Sequence, residues 1–151
     1  MKSRSSLIAR AGVAPICREP SLRSEQVSQC VMGETAHVLE SQGQWRRVRH
    51  DGDRYEGWMH LGYALEVDEE IARGWRDSAT GWSDGAVMRT EDGEIIRLPL
   101  RARVGLAGPR IDLPDGRQGA LIAGTVTPYD RVMTRAEATS PDLWAWQAFG
   151  G

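Results

Sequence analysis

Residues 44–65 read Gln-Trp-Arg-Arg-Val-Arg-His-Asp-Gly-Asp-Arg-Tyr-Glu-Gly-Trp-Met-His-Leu-Gly-Tyr-Ala-Leu. This stretch spells one β-hairpin. Trp45 to Arg49 alternates an aromatic or apolar side chain with a basic one, the two-residue period of a half-buried strand. His50-Asp51-Gly52-Asp53 is turn chemistry, with Asp-Gly at its centre to take the positive φ of a tight hairpin. Tyr55 to His60 forms the return strand, and Gly57 inside it marks a bulge or a close approach of backbone.

Working outward, residues 6–16 predict a first strand that ends at Pro15. Residues 17–28 are polar, carry Pro20 and predict a long loop folded back on the sheet, with Leu22 and Val27 tucked inward. Gly33 makes a turn and Glu34 opens a strand over 35–40. Five short strands in about sixty residues give the size and spacing of a small barrel. Residues 68–83 read as a linker, and Trp75 and Trp82 in it are too apolar for a free tether, so they predict a seal between two units. Residues 84–130 form a second strand-rich unit with turns at Asp92-Gly93 and Asp115-Gly116. From Thr134 the period changes. Ser140 as N-cap, Pro141 at the first helical position and Asp142 beside the positive helix end predict a helix within 134–151. The fold class is all-β: two small barrels in tandem, 6–67 and 84–130, followed by a short C-terminal helix.

Composition narrows the function. The chain has 151 residues, 40% hydrophobic and 26% charged, with a formal charge of −2. The arginines are interleaved with acids, which predicts a mixed-sign solvated surface and no nucleic-acid partner. No stretch is long and apolar enough to span a membrane, and the basic start is too short for a signal core, so the chain as given reads as cytoplasmic. A cell-wall or extracellular setting follows if a signal was removed. The two cysteines, Cys17 and Cys30, lack zinc spacing, and Cys30 reads as a buried small hydrophobe. No metal set or phosphate loop is present in the sequence, and no cofactor is expected. Neither cysteine is followed by Ser-Gly or begins a helix, and His37, His50 and His60 lie on the strands and turn of one barrel; no catalytic residue is assigned.

Several separated motifs then converge. Ala14-Pro15-Ile16-Cys17, Pro20-Ser21-Leu22-Arg23-Ser24-Glu25, Gly33-Glu34, Gly43-Gln44-Trp45-Arg46-Arg47-Val48 and Asp51-Gly52-Asp53-Arg54-Tyr55-Glu56-Gly57-Trp58-Met59 together resemble the first bacterial SH3 domain of NlpC-type cell-wall cysteine endopeptidases, those that cut γ-D-glutamyl-diamino acid bonds. Ile111-Asp112-Leu113-Pro114-Asp115-Gly116-Arg117-Gln118-Gly119 is similar to their second SH3-like domain. The resemblance implies a non-catalytic substrate-recognition region that packs on an NlpC-type catalytic domain following the C-terminal helix. It implies a stem-peptide ligand beginning L-Ala-γ-D-Glu, whose free amino end is held by Tyr55 and by an acid of the first loop, Glu19 with Glu25 as the fallback. Trp45 would line the groove. An ammonium ion favours a carboxylate in a partly dry cleft beside a phenol or ring face, so the residue types suit the task. Two other readings stay open: a free-standing cell-wall or peptide-binding module, and an adaptor that grips a proline-rich partner through Tyr55, Trp45 and Tyr63.

Overall fold

The computed structural model describes residues 5–128, and the helix expected within 134–151 lies outside them. The first domain is a seven-stranded antiparallel sheet built from β1 (Ser5–Ala9), β2 (Val13–Cys17), β3 (Gln26–Val31), β4 (Thr35–Gln42), β5 (Trp45–His50), β6 (Glu56–His60) and β7 (Ala64–Asp68), in the order β3-β2-β6-β5-β4-β1-β7. The second repeats the count with β8 (Gly81–Ser83), β9 (Val87–Thr90), β10 (Ile95–Arg97), β11 (Arg103–Ala107), β12 (Arg110–Asp112), β13 (Gln118–Ala123) and β14 (Val126–Pro128), in the order β10-β9-β13-β12-β11-β8-β14. Both are SH3-like, and one helix, α1 (Glu69–Ser78), stands between them. Strand-rich tandem domains are what the turn spacing implies.

The central hairpin forms as its alternation requires. Trp45 pairs with His60, Arg47 with Trp58 and Arg49 with Glu56. Val48 and Met59 point inward and are fully buried. Gly57 faces Val48 across the pair, and a Cβ there would lie 2.6 Å from Ile16 Cγ2 and 2.7 Å from the Cys17 carbonyl. Only glycine lets β2 cross that closely. The outward arginines form no basic patch: Arg46 reaches Glu66 at 2.7 Å, Arg47 reaches Glu40 at 2.8 Å and Glu56 at 3.2 Å, and Arg49 also reaches Glu56.

Four local expectations need correction. The positive φ of the hairpin turn falls on Arg54, at 67°, and not on Gly52. The His50 ring turns back against Gly52 and the Asp53 carboxylate accepts the Tyr55 amide, so the positive φ sits two residues later. The first predicted strand is two, because Arg10 and Ala11 both donate their amides to the Tyr63 carbonyl and break the extended run. That split, with β3 rising out of the polar stretch, makes seven strands where five were expected. Leu22 does not tuck inward but is 73% exposed, whereas Val27 does pack against the core.

The core of the first domain is built of small and medium side chains, among them Leu7, Ala14, Ile16, Cys30, Val48 and Met59. The second core holds Met88, Leu98, Val104, Ile111 and Leu113, and also Met32, which belongs by chain order to the first domain. The turn after β3 is therefore a plug. Gly33 takes φ +86°, and a Cβ there would lie 2.0 Å from the Arg103 carbonyl oxygen. The Arg103 amide donates to the Met32 carbonyl at 2.8 Å, and Trp75 Nε1 donates to the Gly33 carbonyl at 2.7 Å. Trp75 thus touches the seam; Trp82 lies in β8, paired with Arg103 and Thr127. Arg76 of α1 ties the helix to Asp51 and pairs with Glu69 in the helix's own first turn, which in turn accepts the Ser6 hydroxyl of β1.

Truncating a buried methionine removes transfer energy and leaves a cavity, at a cost of about 2–5 kcal/mol. Met32→Ala is expected to lower the urea midpoint and to reduce amide exchange protection at Met88 and Val104 in the second domain before Val48 in the first. Protection lost only around Val48 would contradict the plug.

Candidate functional site

One end of the central hairpin carries a small cup. Trp45 opens β5 and His60 closes β6, so their pairing places both rings at this end. A single 3-10 turn, Leu61–Tyr63, follows at once and brings up Tyr63. The His60 Nδ1 accepts the Gly62 amide at 2.9 Å, which fixes the imidazole orientation. Trp45 meets His60 edge to face, with centroids 5.1 Å apart and planes at 84°, and Tyr63 meets His60 at 6.4 Å and 80°. Offset and edge-to-face ring pairs are the favoured arrangements, so this set is self-supporting. Pro15 and Cys17 from β2, Leu22 and Ser24 from the first loop, and Gln26 from β3 complete a cavity of about 150 Å³. Burial pushes the Cys17 thiol upward, which keeps it protonated and uncharged.

The loop that closes the cup is tightly knit. The Arg18 amide donates to the Glu25 carbonyl at 2.8 Å, the Ser21 amide to Glu19 at 2.8 Å, and the Glu19 amide to Ser24 Oγ at 2.9 Å. Glu25 pairs with Arg18 at 3.1 Å, both well exposed. The Glu19 carboxylate has no ion pair or hydrogen bond among the described residues, and its loop neighbour Ser24 lines the cup. Tyr55 is elsewhere. It is 58% exposed at the turn end of the hairpin, about 16 Å along the strand from Trp45 by strand rise, and does not line the cup. Ser24 of the loop that carries Glu19 and Glu25 lines the cup with Trp45, whereas Glu19 and Glu25 themselves do not, and Tyr55 lies at the turn end of the hairpin. His60, Tyr63, Leu22 and Gln26 are additional cup residues. The tight sequence spacing of Trp45, His60 and Tyr63 around one hairpin is the signal that could have found three of the cup's members.

A second cluster lies inside the barrel. His50 is buried beside Cys30, with Nδ1 3.0 Å from Asp53 Oδ1 and Nε2 3.3 Å from Glu34 Oε1, the latter without the alignment of a hydrogen bond. Burial works against the imidazolium, but the neighbouring Cys30 and Glu34 outweigh it and hold the His50 pKa well above its ordinary value. Burial likewise pushes the Cys30 thiol up, against the pull of His50. Burial nudges the Asp53 carboxyl upward, yet the Tyr55 amide, the Ser28 hydroxyl and His50 bring it below the usual carboxylate range. The residue types are those of a thiol, a base and an orienting acid. Cys30 is only 1% exposed, however, and a protonated thiol sealed in a core meets no substrate. The cluster is structural: Glu34 Oε1 also accepts the Val31 amide at 2.7 Å, so His50 steadies the turn that carries Met32.

A raised histidine pKa gives stability that is fully present below the unfolded value of about 6.5 and is lost as pH rises through the folded value. The unfolding free energy is therefore expected to fall between pH 7 and pH 10, by at most about 1.4 kcal/mol per pH unit. His50→Gln should lose stability at pH 6 and flatten that slope; an unchanged slope in urea titrations would exclude the charged pairing.

Residues 16–62 match the family model of the bacterial dipeptidyl-peptidase SH3 domain. The first domain is a bacterial SH3 domain. The matched span contains the cup-closing loop, the plug turn and both hairpin strands of this SH3 domain. Over both domains the fold is that of an NlpC/P60 family protein from Bacillus cereus ATCC 10987, with a TM-score of 0.65 at 15% identity, covering 87% of this chain and 62% of that one. The chain therefore spans less than two thirds of that protein. A second solved structure, NlpC2 from Trichomonas vaginalis, aligns at TM-score 0.35 and 13% identity, over 83% of this chain and 48% of its own. No curated protein matches the sequence. The family match lies within the first domain, and the fold likeness extends over both.

Proposed function

We propose that this chain is the non-catalytic recognition region of a murein stem-peptide endopeptidase, binding L-Ala-γ-D-Glu peptides and packing on an NlpC-type catalytic domain. The observation that carries this reading is the dipeptidyl-peptidase SH3 match across residues 16–62, the segment that builds the cup and its loop. Glu19 supports it. Its carboxylate is unpaired among the described residues and is held on a hydrogen-bonded loop, so it meets an ammonium group with little ordering cost. Glu25 is the weaker candidate because Arg18 already occupies it. Tyr55 acts as a second anchor. The rigid seam between the domains supports a role in positioning, because a plugged junction transmits no slack.

Calorimetry of the 151-residue chain with L-Ala-γ-D-Glu-diaminopimelate tests this. Glu19→Gln is expected to weaken binding about tenfold, near 1.4 kcal/mol, as loss of one charge-assisted contact implies. Tyr55→Ala should weaken it severalfold. Full affinity in Tyr55→Ala removes that residue from the site, and full affinity in both variants overturns the reading.

A further inference from the structure

The cup raises a question that a stem peptide does not answer. A stem peptide carries carboxylates and an ammonium group, yet no carboxylate, guanidinium or ammonium side chain lines this cavity. Its polar groups are neutral: a serine hydroxyl, a carboxamide, an imidazole, a phenol and an indole N–H. The Trp45 indole N–H and the Tyr63 hydroxyl have no hydrogen-bond partner among the described residues, so both remain available to a ligand. His60 Nδ1 is taken by the Gly62 amide, which leaves Nε2 as the nitrogen that carries the ring proton.

Shape narrows the ligand further. A cavity near 150 Å³ holds one six-membered ring. The Trp45 and Tyr63 rings both stand nearly perpendicular to His60 and, with residues of β2, β3 and the first loop, wall the cavity. A compact ring with weakly positive C–H faces and hydroxyls at its rim fits such walls, because aromatic faces are negative and the neutral polar groups sit around them. An uncharged ring also avoids the cost of desolvating a charge with no counter-charge in the cavity.

We infer that the cup formed by Trp45, His60, Tyr63 and the loop residues Ser24 and Gln26 is a binding site for a neutral pyranose ring of a saccharide. The ring stacks on an aromatic wall while the Trp45 indole N–H, the Tyr63 hydroxyl and the Gln26 carbonyl oxygen, whose amide nitrogen already donates to Gln29, meet its hydroxyl or amide substituents. The inference rests on the lining of the cup and does not depend on the stem-peptide reading. It separates two surfaces on one barrel: a neutral one for sugar, and the Glu19 carboxylate beside it for a cation.

The test is a titration of the 151-residue chain followed by amide and indole NMR signals, with chitotetraose as the neutral saccharide probe. L-Ala-γ-D-Glu-diaminopimelate and a decaproline peptide are the comparison probes. Chitotetraose is expected to shift the Trp45 indole and the amides of Ser24, Gln26 and Gly62. Tyr63→Phe and Gln26→Ala should each weaken the sugar at least threefold, and Trp45→Ala at least tenfold, whereas Glu19→Gln and Tyr55→Ala leave sugar binding unchanged. Tyr63→Phe keeps the ring, so its effect is not a folding effect. If the sugar shifts these signals and the peptide shifts none, this inference stands and the stem-peptide reading fails. If the peptide or decaproline shifts the Trp45 indole and the sugar does not, or if no probe shifts it, the inference is overturned.

Discussion

The structure depends on one backbone-to-backbone lock. The Arg103 amide meets the Met32 carbonyl at 2.8 Å while the Met32 side chain enters the core of the second domain. Gly33 permits this, because any side chain there would collide with the Arg103 carbonyl. Trp75 then donates to the Gly33 carbonyl and keeps it from being an unpaired acceptor at the seam. Two small domains, each marginal as a core, are joined by sharing a residue and a strand-like contact. What looks like a tethered pair is a single packed surface.

The lock is steadied from the other side by charge. Glu34 takes the Val31 amide and stands near the buried His50, whose other nitrogen faces Asp53. A lone buried imidazolium is costly, and a flanked one fixes the geometry of its partners. The same Asp53 receives the Ser28 hydroxyl and the Tyr55 amide, so the turn at the far end of the hairpin and the plug turn belong to one network. The hairpin is thus held rigidly at its turn end and left open at the other, where Trp45, His60 and Tyr63 frame the cup.

The hairpin was legible because alternation and turn residues are local. Val48 and Met59 face inward, as the period of two requires. Gly57 was legible as a close approach, though the partner, Ile16 on β2, was not. The turn misled in detail: Asp-Gly marked its place, but Arg54 took the positive φ because Asp53 and His50 captured the neighbouring groups. Leu22 misled more fully. Hydrophobicity favoured burial, but a loop bonded to itself through Glu19, Ser21 and Ser24 turns the side chain outward. Of the candidate site, Trp45 and Glu19 could be pointed to by residue type, while the separation of Tyr55 from Trp45 followed only from strand register.

The sequence by itself determined the strand-rich class, the hairpin, the turn glycines and the mixed-sign surface, since each rests on contacts within a few residues. Tertiary structure alone decided that Met32 serves the second core, that His50 is caged by Glu34 and Asp53, and that Trp45, His60 and Tyr63 meet Ser24 and Gln26 around one cavity. Those pairings join residues far apart in the chain, and periodicity records which way a side chain points without recording what stands opposite it.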